Sequence, residues 1–307
     1  MLWIRSAVDD AIADHRELLL AGAPSLHAAG KPVPHHGRFA PADRPVLDEA
    51  ILEALGPRRE RARGLVVVAT QTAEQSLDID ADLLISDACP PDVLLQRLGR
   101  LHRHPLTRPR GYAQPELILV DPGPLERFLR GDKNLPGGEP GQRWPWVYPN
   151  LLAVHEALRW VARGTLKLPQ DCRAMVEDGT HPDHLRDRAE RLGDRWLALW
   201  TTLYGRDGAL RTEARQVLLD WFKPALSQPI LSEQVVRSRL GADKVTLTTD
   251  FVSPLQRRVE QLHVPCRWLT GPLPDKAEVV ALEDEVVVLQ AGALTMRYST
   301  AGLERLI

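Results

Sequence analysis

"GLVVVAT", Gly64 to Thr70, decides the fold class. β-branched residues are stiff and favour extended backbone. An apolar run without polar alternation predicts a strand buried on both faces, as in parallel sheets. "DLLISD" (Asp82 to Asp87) and "ELILVD" (Glu116 to Asp121) repeat the pattern, and "LWIR" (Leu2 to Arg5) is a shorter version near the N-terminus. Helical periodicity lies between these runs. "AVDDAIADHRELLLAG" spaces Ala7, Ala11, Leu18 and Leu19 on one face and ends at Gly22, a good C-terminal cap. "PADRPVLDEAILEALG" does the same with Val46, Leu47, Ile51, Leu52 and Leu55, stopped by Gly56-Pro57. "PDVLLQRLGRL" reads as a helix with Pro91 in its first turn. Strands alternating with helices imply right-handed βαβ units and an α/β fold with a doubly wound parallel sheet over residues 1–130.

The chain changes character after that. Residues 131–142, "GDKNLPGGEPGQ", are rich in Gly and Pro and predict a linker or long loop. Residues 143–238 read as a helical extension, with separate amphipathic helices in "NLLAVHEALRWVARG", "LRDRAERLGDRWLALWTTLYG" and "RTEARQVLLDWFKPAL". Residues 239–307 turn to Val- and Thr-rich runs broken by Gly, Pro and Asp, which predicts a small β-rich accessory domain.

Composition narrows the function classes. A net charge of −2 across 307 residues gives no global attraction to nucleic acid, so any polyanion site must be a local patch. Cys89, Cys172 and Cys266 are far apart and form no CxxC pair, which predicts a reducing, cytoplasmic compartment rather than a disulfide framework or zinc site. No apolar run is long enough to span a bilayer, so no membrane contact is expected.

Three segments carry chemistry. "VATQTAEQSLDIDAD" (Val68 to Asp82) leaves the carboxyl end of a buried strand, where open α/β folds bind ligands. Its hydroxyls and amides (Thr70, Gln71, Gln75, Ser76) suit phosphate oxygens, and Asp78 suits ribose hydroxyls. The same residues would also serve an ordinary polar loop. In "QRLGRLHRH", Gln96, Arg100 and Arg103 fall on one stripe if the helix continues, with Arg97 beside them. Between Leu94 and Tyr112 there are five arginines and no acid, an arrangement that suits a bound anion. Gly99 would then be an interior helix glycine, costing about 1 kcal/mol unless something approaches it closely. "PHHGRFAPADR" places His36 and Arg38 just before a helix start, where a nucleic-acid backbone could be held. No metal is expected, because adjacent His35 and His36 rarely share one and no cysteine or acid stands at ligand spacing; His102 and His104 read the same way.

Taken in order, these segments resemble the CRISPR-associated helicase-nucleases of type I systems, which are superfamily 2 DNA helicases. "HHGRF…DR" is similar to motif IV, "VATQTAEQSLDID" to motif V and "QRLGRLHRH" to motif VI. General superfamily 2 helicases end motif VI as QRxGRxGR, and His102 in place of the second glycine resembles the CRISPR variant in particular. "YPNLLAVHEALRWVARGTLKLPQDCRAMVED" and "VVRSRLGADKVTL" resemble the family's helical extension and the start of its terminal accessory domain, while "IRSAV" departs from the more usual "IRNTV". The resemblance implies that residues 1–130 form the second RecA-like domain of a motor that uses ATP with Mg. It implies that Arg100 and Arg103 are arginine fingers and that Gln96 meets the γ-phosphate or its attacking water. Ser76, Asp78 and Arg97 would touch nucleotide, while Thr70, Gln71, Arg38 and His36 would hold single-stranded DNA. It also implies 3′-to-5′ translocation on DNA in antiviral CRISPR interference, an N-terminal helicase/nuclease half as partner, and the CRISPR surveillance complex as a second.

The 307 residues contain no GxxxxGK[ST] loop, no DExH box and no His-Asp dipeptide. The chain by itself is therefore expected neither to hydrolyse ATP nor to cleave DNA. Two expectations follow. As the C-terminal half of an ATP-dependent translocase, it would complete an active site with the other half. As a non-catalytic DNA- or protein-binding module of the surveillance complex, it would ignore that half. Trp160, Trp196, Trp200 and Trp221 offer stacking surfaces for bases, though tryptophans four apart more often pack.

Overall fold

A computed structural model describes residues 1–57, 64–74, 77–130, 135–139, 141–216, 244–269, 274–283 and 285–306. The strand Leu2–Ile4 is central in a four-stranded parallel sheet, flanked by Val67–Ala69 and Leu83–Ser86, with Glu116–Leu119 outermost. Ile4 faces Ala69 on one side and Ser86 on the other, so three strands end in register. Leu2, Ile4, Val67 and Leu84 are fully buried, as the unbroken apolar runs require. Helices Val8–Leu20, Arg44–Leu55 and Pro91–Leu98 complete the α/β part. Gly22, with φ +70°, closes the first of them in the left-handed conformation that glycine adopts without cost.

The Glu116–Leu119 strand differs from expectation. It occupies the sheet edge and is only partly covered, with Ile118 45% exposed. Burial on both faces needs neighbours, and an apolar run alone does not reveal which strand will lack one.

In the helical extension, Leu151–Val161, Cys172–Thr180, Pro182–Leu192 and Asp194–Gln216 follow one another. Asp194–Gln216 is one helix that runs through Gly205, where the sequence suggested two. A separate core gathers Phe128, Trp144, Leu151, Leu152, Trp196 and Leu199. The tryptophans here pack: Trp160 donates to Asp178 Oδ2 (2.9 Å) and Trp196 to Glu126 Oε1 (3.2 Å). Trp221 lies outside the described residues. Where the 131–142 segment is described, its end is tied down: Gly141 and Arg143 both donate backbone N–H groups to Asp10 (3.1 and 2.7 Å).

The β-rich part consists of an antiparallel pair, Lys244–Val252 with Arg258–Pro265, and a four-stranded meander, Glu278–Glu283 to Gly302–Arg305. Its Leu247, Phe251, Met296 and Tyr298 share one continuous core with the parallel sheet. Asp43, fully buried before the second helix, accepts hydrogen bonds from Ser253 Oγ (2.7 Å) and Tyr298 OH (2.5 Å) across that joint.

Candidate nucleotide and nucleic-acid edge

Three parallel strands end side by side, so the residues after them share one edge: Arg5 and Ser6, Thr70 and Gln71, and Asp87. Arg5 Nη1 donates to Asp87 Oδ1 (2.7 Å), and the same carboxylate takes the Ser6 N–H on its other oxygen (2.8 Å). Burial pushes the Asp87 carboxyl up while Arg5 pulls it down. Thr70 is 1% exposed, and Gln71 donates its amide to Ser6 O (2.7 Å).

The arginine motif divides at a helix end. The helix stops at Leu98, and Gly99 is its C-terminal cap with ordinary φ −62°. A Cβ at Gly99 would meet Gln96 O at 3.3 Å and Leu95 O at 3.5 Å, both in its own last turn. Gly99 thus supplies no sign of a close-approaching ligand, and Arg100 and Arg103 lie beyond the helix rather than on a continued stripe. His102 has φ +48°, the left-handed region where glycine is favoured and histidine tolerated. Its N–H bonds Ala81 O (3.1 Å), so the turn is pinned to the segment that follows the Val67–Ala69 strand.

Arg97 is fully buried. Nε donates to Glu74 Oε1 (2.7 Å), Nη1 to Ser86 Oγ (2.9 Å) and Nη2 to Ser6 Oγ and Tyr148 OH (both 3.3 Å). A guanidinium so saturated is part of the core, and this arrangement leaves it no contact to give a nucleotide. Arg100 turns outward from the same junction: Nη2 donates to Glu74 O (2.7 Å), while Nε is buried without a hydrogen-bond partner. Burial lowers the Arg100 pKa and Arg103 adds to it, as expected where cations gather. Gln96 is exposed. Arg103 Nε donates to Asp78 Oδ1 (2.7 Å), which His104 Nε2 also reaches (2.8 Å). The His104 hydrogen bond, then the Arg103 one, hold the Asp78 carboxyl below its ordinary value. Further along, Arg108 forks onto Asp80 (2.6 and 2.9 Å) and reaches Asp82 (3.1 Å). Ser76 lies outside the described residues.

His36 and Arg38 are placed differently from a backbone-holding loop. His36 is fully buried, with Nε2 on Ala301 O (3.0 Å) and Nδ1 accepting the Arg38 N–H (3.2 Å). That pattern specifies a neutral ring, and burial lowers its pKa well below the ordinary value. Arg38 is 6% exposed, forks onto Asp9 and lies 4.9 Å from the Trp268 ring centroid. Both side chains fasten the β-rich part to the α/β part, and both are buried there.

The residues that sequence reasoning missed are the inward partners: Glu74, Asp80, Asp82, Arg108 and Tyr148. A signal was available. Leu65 to Asp87 holds five acids and no Lys or Arg, complementary to the acid-free arginine stretch. Most of the anions expected for those arginines are supplied within the chain.

Fold and edge together define a RecA-like α/β domain with a helical extension and a β-rich accessory part. In sequence over part of its length, and in fold, the chain is similar to the C-terminal part of CRISPR-associated helicase-nucleases. Residues 1–106 match the family model "CRISPR-associated nuclease/helicase Cas3, C-terminal". The Cas3 endonuclease/helicase of Thermus thermophilus is 38% identical over 165 residues, 51% of this chain and 16% of that protein. Its Escherichia coli counterpart is 38% identical over 163 residues, 52% of this chain and 17% of that protein. The chain thus spans about a sixth of the length of these relatives. The crystal structure of T. fusca Cas3-AMPPNP covers 99% of this chain and 38% of its own, with TM-score 0.70 and 21% identity. A chain of a CRISPR RNA-guided surveillance complex, pre-nicking, superposes with TM-score 0.64 and 22% identity. No helix among the described residues is long and apolar enough to cross a membrane.

Proposed function

We propose that this chain serves as the second RecA-like half of an ATP-dependent single-stranded-DNA translocase in CRISPR interference, completing its site with an N-terminal helicase/nuclease half. One observation carries the reading: Arg100 and Arg103 emerge beside Asp78 and exposed Gln96, and Arg100 Nε is buried with no hydrogen-bond partner. Guanidinium groups gathered at one rim repel each other, and an anion brought by a partner would offset that. Arg100 and Arg103 would hold the γ-phosphate of ATP, with Mg held by the other half. Hydrolysis of that phosphate supplies the energy for stepping. Arg103 leaves Asp78 to do so, and the two guanidinium groups offset the charge that develops on the phosphoryl oxygens. Gln71, half-buried at a strand end, is the position proposed for the DNA backbone, with buried Thr70 beside it. Arg97, His36 and Arg38 are left out of this proposal, since their side chains are buried inside the protein. The proposed partners are single-stranded DNA, the N-terminal half and the surveillance complex, in the cytoplasm.

The non-catalytic alternative rests on the absence of a phosphate loop from these 307 residues. Mixing the chain with an N-terminal half separates the two. DNA-stimulated ATP hydrolysis should appear on mixing and vanish with Arg103→Ala. Binding that is indifferent to the partner and to ATP would favour the passive module.

A further inference from the structure

Where the motif IV loop meets the β-rich part, a cleft of about 320 Å³ opens between Gly37, Arg44, Thr72, Lys244 and His263. This is within the size range of ligand sites. Lys244 begins the strand Lys244–Val252, and His263 stands on the strand paired with it. Among the described residues Lys244 Nζ has a single long contact, donating to Gly37 O at 3.4 Å. Arg44 Nη1 donates to His36 O (2.8 Å), and its Nη2 lies 3.5 Å from Asp48 Oδ1. Asp48 is also engaged by His35 Nε2 (2.8 Å). Asp48 thus serves Arg44 and His35, and among the described residues no carboxylate contacts Lys244. Burial lowers the Lys244 pKa, and Arg44 and Arg38 lower it further, so its surroundings are electropositive. Thr72 follows directly on Thr70 and Gln71, which places the cleft beside the strand-end edge.

We infer that this cleft is a phosphate subsite, in which Lys244 and Arg44 take a backbone phosphate of single-stranded nucleic acid passing from Thr70 and Gln71 toward the β-rich part. The inference deepens the DNA reading above and rests on it. The β-rich part then contributes directly to the strand's path through Lys244, in addition to bracing the motif IV loop through His36 and Arg38.

The test is fluorescence anisotropy of a labelled oligothymidylate with the 307-residue chain, read as affinity against salt concentration. Each single-strand phosphate contact contributes about 0.7 to the slope of log K against log salt. Lys244→Gln should lower the slope by about that amount, and Lys244→Arg should restore it. Equal slopes in all three proteins overturn the subsite while leaving the DNA reading standing. Failure of the unaltered chain to bind the oligonucleotide overturns both. Inorganic phosphate identifies the source of the anion. If it raises the melting midpoint of the unaltered chain but not of Lys244→Gln, and the slopes are equal, the cleft takes a free anion and the nucleic-acid assignment is wrong.

Discussion

Arg97 and Arg103 lie six positions apart in one motif and each meets a carboxylate from the same upstream segment, at the same 2.7 Å. Their surroundings differ completely. The Arg97–Glu74 pair is 0% and 4% exposed; the Arg103–Asp78 pair is 42% and 51% exposed. Equal distances therefore carry unequal energies. The buried pair has lost its water, and every donor of the guanidinium must find protein, as it does on Ser86, Ser6 and Tyr148. The exposed pair is screened and contributes little to folding. Weak pairing at the rim is also what leaves Arg103 able to change partners. The two ends of the motif teach that a charge run can split into a structural end and an exchangeable end within two turns of chain.

The largest expected effect breaks the buried end. Arg97→Ala leaves Glu74 uncompensated in the core and should cost about 3–5 kcal/mol of folding stability, measured by urea unfolding. Arg103→Ala should cost no more than about 1 kcal/mol in the same assay. Similar losses for both would erase the distinction. An intermediate effect is expected at Tyr148, whose hydroxyl accepts from Arg97 Nη2 and meets the Gln71 amide at 3.4 Å. Tyr148→Phe keeps the ring and removes only those bonds, for a loss of about 1–3 kcal/mol by unfolding. The joint with the β-rich part offers a comparison outside the motif. Tyr298→Phe strips Asp43 of one of its two side-chain donors and should cost about as much.

The α/β order, the three short helices and the switch to strands near the C-terminus were legible because hydrophobic period is a local property. The gathering of the strand ends at one edge was also legible, since parallel strands in register end together. The direction in which each arginine points was not. It depends on where the helix stops, and Gly99 read as a costly interior residue when it caps the end. His36 and Arg38 were misread for a longer-range reason. Their partners Ala301 and Trp268 stand more than 200 residues away, and no local spacing announces them. The edge position of Glu116–Leu119 and the tethering of Gly141 to Asp10 are likewise tertiary facts.

The smallest expected effect sharpens the exposed end through pH. Asp78 is held below its ordinary pKa of 3.8 by His104 and Arg103. A carboxyl with a depressed folded-state pKa adds stability that is present above its unfolded value and is lost as pH falls through the folded value. The part supplied by Arg103 should therefore be constant through neutral pH and disappear only below about pH 3.8. Asp78→Asn removes the charge at every pH. Urea midpoints of the unaltered and variant chains should differ slightly at pH 5 and above and converge in strong acid, with the same pattern at low salt more pronounced than at high salt. A difference that persists into acid would mean that Asp78 is held by packing rather than by charge. The exposed end would then be as fixed as the buried one, and Arg103 would have no free exchange of partners to offer a phosphate.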